Sequence, residues 1–237
     1  MSPQRPEQTP ESLFLGRERE LSSLKDRLDT AARGAPQVVL VDGPAGIGKT
    51  TLARCFLSSV ASDCCVVKAS GEELETELSY GLLAQLAPQL PDAPAALRQP
   101  ALSMPGSVAP QVPIAVGALF LDALGQLQNQ ASVVLLIDDV HWADTPSLHA
   151  LTFVLRRLRR DRVLAVLMTR DVNDPRLPQG LHRILHDDTT LALTLEGLSL
   201  ADVVALNNAL DHRSSPAGPL PGCGNTRAET RCTPRRF

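Results

Sequence analysis

"VVLVDGPAGIGKTTLA", residues 38–53, is the stretch on which the reading of the fold turns. With Gln37 it opens as a short apolar run bounded by turn residues, the pattern of a strand buried on both faces. Gly43-Pro44-Ala45-Gly46-Ile47-Gly48-Lys49-Thr50 then fits the spacing G-x-x-x-x-G-K-S/T, and a helix is expected from about Thr50 to Ser62. Glycines let the backbone wrap closely around a phosphate so that successive N–H groups point inward. The N-terminus of the following helix adds partial positive charge. In such a loop Lys49 reaches the β- and γ-phosphates and the Thr50 hydroxyl ligates Mg²⁺. Lys25, Lys49 and Lys68 are the only lysines in an arginine-rich chain, so a lysine at this position is informative. Nucleotide contacts are therefore expected from Gly43, Pro44, Ala45, Gly46, Ile47, Gly48, Lys49, Thr50 and Thr51.

Working outward, Leu21, Leu24 and Leu28 mark one face of a helix over 18–33, closed by Gly34 and Pro36. Further strands are expected at 64–69, 132–138, 162–169 and 189–195. Further helices are expected at 73–87, with Leu74, Leu78, Leu82 and Leu86 at i, i+4 spacing, at 114–127, from Pro146, and at 199–210 with Ser199 as N-cap. Strands alternating with helices indicate a parallel sheet covered on both faces. Residues 1–12 read as a flexible head and 13–210 as one domain, interrupted by a proline-rich insertion over 88–113. The ending, 211–237, is rich in Pro, Gly, Ser and Arg and reads as disordered.

"LLIDDVHWAD", residues 135–144, carries a buried strand into adjacent carboxylates. A Mg²⁺–nucleotide complex needs an acceptor opposite the phosphate loop, and the carboxyl end of a neighbouring strand supplies it. Asp138 occupies that place, holding the metal directly or through water. Asp139 can polarise the attacking water as a general base, with a solvated or turn-capping role as the alternative. Asp144 or Thr145 reads as a helix N-cap, because Pro146 falls in the first turn. His141 lacks the partners of a metal ligand, and Trp142 reads as packing near the site. "LMTRD" places Arg170 at another strand end, where it can sense the γ-phosphate, or else pair with Asp171 or Asp174. Arg156, Arg157, Arg159 and Arg160 read as closing the helix that begins at Pro146, where cations suit the dipole.

A formal net charge of -3 gives no overall attraction to nucleic acid or anionic lipid. No apolar run approaches the roughly 20 residues that span a bilayer, and the polar N-terminus lacks the features of a secretory signal. The expected compartment is the cytoplasm. The five cysteines include no C-x-x-C pair and are expected to be free thiols.

Taken together, "LGRERELSSL" (15–24), the phosphate loop, "GEELETELSYGLLAQL" (71–86), "VVLLIDDVHWADTPSLHALTFVLRRL" (133–158) and "VLAVLMTRD" (163–171) resemble the ATPase module of large ATP-binding regulators of the LuxR family. These belong to the signal-transduction ATPases related to AAA+ proteins. The resemblance implies an α/β P-loop NTPase fold with a five-stranded parallel sheet in the order 5-1-4-3-2, flanked by helices. It also implies that Gly16, Arg17 and Glu18 lie beside the adenine and ribose, that Asp138 and Asp139 form the Walker B pair, and that Arg170 is the sensor. Such regulators continue into a lid and a helix-turn-helix domain. Here "PGCGNTRAETR" departs from the expected G-N-P motif, and a truncated or frameshifted ending without lid or C-terminal domains is the expectation.

The function implied is a switch module that binds Mg²⁺ and ATP or ADP, hydrolyses weakly, and makes no direct contact with DNA or membrane. Self-association and protein partners stay open. A stand-alone P-loop phosphotransferase and a catalytically silent fragment are the alternatives.

Overall fold

A computed structural model describes residues 16–91, 97 and 112–197. The expected head, the 199–210 helix, the 211–237 tail and most of the proline-rich insertion lie outside those residues. The strands β1 (Gln37–Asp42), β2 (Cys64–Ser70), β3 (Ser132–Asp138), β4 (Val163–Thr169) and β5 (Leu191–Thr194) form one sheet. All pair in parallel, in the order β2-β3-β4-β1-β5, which is the 5-1-4-3-2 arrangement that the family resemblance implied. The helices are α1 (Glu18–Ala32), α2 (Lys49–Val60), α3 (Gly81–Leu86), α4 (Pro113–Leu127), α5 (Thr145–Leu155) and α6 (Gln179–Leu185). None among the described residues is long and apolar enough to cross a membrane.

The strict alternation of the central strands divides the core in two. Val133, Leu135 and Ile137 of β3 and Val163, Ala165 and Leu167 of β4 pack with residues of α3, α4, α5 and α6. Their neighbours Val134, Leu136, Leu164, Val166 and Met168 pack with α1 and α2, through Leu24, Leu28, Leu52 and Phe56. Successive side chains point to opposite faces, and both faces here are covered by helices. These strands therefore read as continuous apolar runs and can present polar groups only at their ends.

The helix expected over 73–87 is the main departure. A 3₁₀ turn covers Glu73–Glu75, and α3 begins only at Gly81. Tyr80, between them, has φ 63°, a left-handed conformation that ends helical propagation. Leu74 consequently points into solvent at 97% exposure, whereas Leu82 and Leu86 are buried.

Asp144 holds this geometry. Its carboxylate is 2% exposed and accepts from the N–H groups of Tyr80 (2.7 Å), Leu82 (3.1 Å) and Ser147 (2.9 Å). One side chain thus caps α5, as expected, and also satisfies orphan N–H donors where α3 starts.

Gln85 and Gln89 close the outer edge of β2. Each amide accepts from and donates to one strand residue, Gln85 to Ser70 and Gln89 to Lys68, at 2.8–3.0 Å. Spaced four apart, they imitate a neighbouring strand and blunt the edge. Burial pushes the Cys64 thiol at the start of β2 up to about 11, so it behaves as a small hydrophobe.

The helix from Pro146 also ends earlier than expected. α5 stops at Leu155 with Arg156 as C-cap, so the later arginines lie beyond it, and Arg157 stacks on the Phe153 ring at 3.5 Å. α6 has no signal in the sequence beyond Leu181, Ile184 and Leu185, because seven residues span only two turns.

Asp144→Ala leaves three buried N–H groups without an acceptor and is expected to cost on the order of 3 kcal/mol. Urea denaturation measures this; a loss below about 1 kcal/mol would show that the carboxylate does not organise the two helix starts.

Candidate active site

Three strand ends converge on the phosphate loop. Gly43, Gly46 and Gly48 adopt φ of 148°, 77° and 102°, values that side-chain-bearing residues rarely reach, and these bend the loop between β1 and α2. Lys49 is buried, and its Nζ donates to the carbonyls of Gly43 (2.7 Å) and Pro44 (3.2 Å), tying the helix start to the loop it follows. Burial lowers the Lys49 pKa, and the nearby Asp139 and Asp138 carboxylates act in the opposite direction.

Across the cleft, Thr50 Oγ1 donates to Asp138 Oδ2 at 2.7 Å, joining residues 88 positions apart. Asp138 Oδ1 accepts from the Asp139 N–H at 2.9 Å. Asp139 itself has φ 43° and ψ 48°, so the chain turns sharply as it leaves β3. Strain of this kind collects at functional sites and persists where neighbours enforce it. Gly71 is one such neighbour: a Cβ there would lie 2.4 Å from the Asp139 carbonyl oxygen and 2.8 Å from the Ala143 nitrogen.

Arg170, about half exposed, brings Nε to 3.8 Å from Asp139 Oδ1. The alternative pairings with Asp171 and Asp174 are not made. Asp174 is engaged by Arg176, and Asp171 Oδ1 accepts from the Asn173 N–H.

A cleft of about 230 Å³ is lined by Ala45, Gly46, Gly48, Lys49, Thr50, Thr51, Asp138, Asp139 and Arg170. Gly43, Pro44 and Ile47 belong to the loop but not to that wall. Its volume falls below the roughly 300 Å³ at which small-molecule pockets begin, so it suits a phosphate chain rather than a whole nucleotide.

Gly16 and Arg17 lie outside it. Gly16 borders a separate hollow with Glu18, Arg19 and Glu20, and the buried Arg17 donates to Glu20 (3.0 Å) and to the Glu196 carbonyl. A Cβ on Gly43 would sit 2.8 Å from the Leu195 carbonyl, so the end of β5 connects Arg17 to the start of the phosphate loop. A larger hollow, about 620 Å³, includes Gln37 and Val38 at the opposite edge of the sheet and contains none of the expected site residues.

Two groups near the cleft have no role assigned from the sequence. Asp42, the last residue of β1, has a buried Oδ1 without a hydrogen-bond partner and contributes negative charge near Lys49. Its signal was the one that revealed Asp138, a carboxylate at the end of a buried strand. His141, set aside as a metal ligand, is 2% exposed and reaches 3.9 Å from Asp139. Trp142 packs against it with ring centroids 5.3 Å apart, and the Arg176 guanidinium covers Trp142 at 3.9 Å.

Sheet order and phosphate loop together define a P-loop NTPase fold of the AAA+ type. The chain belongs to the AAA ATPase domain family, whose defining pattern matches residues 13–167; that family implies nucleotide binding. The Cdc6p protein of Pyrobaculum aerophilum superposes with a TM-score of 0.59 at 15% identity, over 87% of this chain and 52% of that one. The Aeropyrum pernix ORC1 protein, solved in complex with DNA, gives 0.56 at 18% identity over the same shares. Domain III of the Thermotoga maritima replication initiation protein DnaA gives 0.51 at 16% identity, over 93% of this chain and 79% of that one. The chain thus spans about half the length of the first two, and identities this low concern the fold alone. No curated protein matches it.

Gly71→Ala forces the 139–143 turn to move and is expected to cost about 2 kcal/mol. An unchanged urea midpoint would contradict the packing. Arg176, by donating to Asp174, holds that carboxyl at about 2 against an ordinary 3.8. Because the folded value is depressed, the stabilisation is complete above about pH 4 and disappears as pH falls toward 2. Solvent screening keeps it below about 1 kcal/mol. The stability gap between wild type and Asp174→Asn should therefore close across that window; a gap constant from pH 6 to pH 2 would refute the assignment.

Proposed function

We propose that this chain is the Mg²⁺-ATP-binding, slowly hydrolysing switch module of a LuxR-type transcriptional regulator acting in the cytoplasm. The observation that supports it most is the Thr50–Asp138 hydrogen bond, which brings a phosphate-loop hydroxyl and a strand-end carboxylate together beside Lys49.

In this reading Gly43 to Thr51 wrap the phosphates and Lys49 contacts the β- and γ-phosphates. Thr50 and Asp138 would hold Mg²⁺. Both supply hard oxygen donors, and Mg²⁺ typically takes one or two protein oxygens together with phosphates and water, so the residues present fit the ion. Bound there, it neutralises charge on the phosphate oxygens. Gly16 and Arg17 border the adenine and ribose, reached along the end of β5.

Asp139 takes a proton from water whose oxygen attacks the γ-phosphorus. The bond to the β–γ bridging oxygen breaks, and ADP and phosphate leave. Arg170, opposite Asp139, senses the γ-phosphate. The regulator assignment rests on the motif set read from the sequence, and DNA contact in such a regulator falls to its helix-turn-helix domain rather than to this chain.

Fluorescent-nucleotide binding and phosphate release test the reading separately. Lys49→Ala should weaken binding at least tenfold, as should removal of Mg²⁺ with EDTA. Asp139→Asn should keep the affinity within about twofold while turnover falls about 100-fold. Wild-type affinity in Lys49→Ala would refute the site, and undiminished turnover in Asp139→Asn would remove its role as base.

A further inference from the structure

Asp42 and His141 each keep a buried polar atom without a hydrogen-bond partner among the described residues, and of the two His141 is the one seen against Asp139. Its Nδ1 lies 3.3 Å from Thr169 Oγ1 at the end of β4, and its Nε2 has no hydrogen-bond partner and lies 3.9 Å from Asp139 Oδ1. Burial lowers its pKa, so the ring is neutral near pH 7.

A neutral ring has two tautomers here. With the proton on Nδ1, the Nε2 lone pair faces a carboxylate, which is repulsive. With the proton on Nε2, the N–H dipole points at Asp139 and Nδ1 accepts from the Thr169 hydroxyl, whose single proton then turns from the Asp171 carbonyl 3.1 Å away to the ring. The Asp139 carboxylate 3.9 Å from Nε2 favours the second, at the cost of the Thr169–Asp171 hydrogen bond.

We propose that His141 is a positioning residue for Asp139, its Nε2–H fixing one carboxylate oxygen so that the other faces the attacking water. The role rests on the hydrolytic function proposed above. Arg170 contacts the same oxygen, but its half-exposed side chain is a poor rigid anchor. The imidazole is confined by Thr169 on one side and Trp142 on another, with Arg176 over the indole. A 3.9 Å contact exceeds hydrogen-bond length, and contacts in catalytic sites commonly tighten only once substrate is bound.

Two near-isosteric variants separate positioning from packing. In His141→Gln the amide nitrogen can take the place of Nε2, whereas in His141→Asn it reaches only the place of Nδ1. With the purified chain, nucleotide affinity is read by fluorescence and kcat by phosphate release at saturating ATP, with urea midpoints recorded for both variants.

The expected result is at least a tenfold loss of kcat in His141→Asn, with affinity within twofold of wild type, and recovery to within about threefold of wild type in His141→Gln. Equal kcat in the two variants, or a loss confined to affinity, overturns the positioning role and leaves the hydrolytic reading standing. Wild-type chain that binds ATP without turnover overturns both.

Discussion

Strands buried on both faces can discharge polarity only at their ends, and this constraint organises the rest of the molecule. The register makes the consequence concrete. Asp42 of β1 pairs laterally with Thr169 of β4 and Thr194 of β5, and Ser70 of β2 pairs with Asp138 of β3. Each of these five strands therefore ends on a hydroxyl or a carboxylate, in adjoining rows along one edge. Up to that edge, β3 and β4 are almost wholly apolar and buried, so the polar row is the boundary of the core. The phosphate loop leaves the sheet from the same edge, because it follows β1 directly.

The turn after β3 shows how much backbone organisation that edge needs. Asp139 enters the left-handed region, Trp142 donates its N–H back to the Asp139 carbonyl at 2.8 Å, and Asp144 then anchors both α5 and the approach to α3. Gly71 lets β2 come close enough for its N–H to meet the Asp138 carbonyl at 2.9 Å. The carboxylates in "DDVHWAD" thus have distinct tasks set by distance from the strand. Asp138 ends the strand facing Thr50, Asp139 is rotated toward Arg170 and His141, and Asp144 is buried as an acceptor of backbone donors.

The fold was legible because its signals are local and repeated. Apolar runs of strand length, a glycine-rich turn and a lysine in a lysine-poor chain required no knowledge of tertiary contacts. Asp138, Asp139 and Arg170 were legible as strand-end polar groups, and the cleft brings them beside the phosphate loop. What stayed hidden depends on contacts between distant segments. Nothing near Tyr80 announces a left-handed residue, because the acceptor that stabilises the break is Asp144, 64 positions away. Leucines at i, i+4 spacing therefore predicted a helix where only the second half forms one. His141 carried no signal either. Its significance lies in burial beside Asp139, and in a sequence it is one histidine in a loop.

Charge at the cleft is what a bound cation would balance in the proposed function. Asp42, Asp138 and Asp139 oppose Lys49 and Arg170, leaving an excess of negative charge before any phosphate arrives. A triphosphate brings more of the same sign, and the inward-pointing N–H groups of the loop and the start of α2 supply only partial charges. Repulsion between the strand-end carboxylates and a phosphate chain would oppose binding in a partly buried cleft. In the proposed function a divalent ion would offset that repulsion, and Thr50 and Asp138, already hydrogen-bonded to each other, are the residues that would hold it. Asp139, at φ 43° and ψ 48°, directs Oδ1 to Arg170 and His141 instead. In the proposed reaction a carboxylate left free of the metal would keep the lone pairs that a base must use.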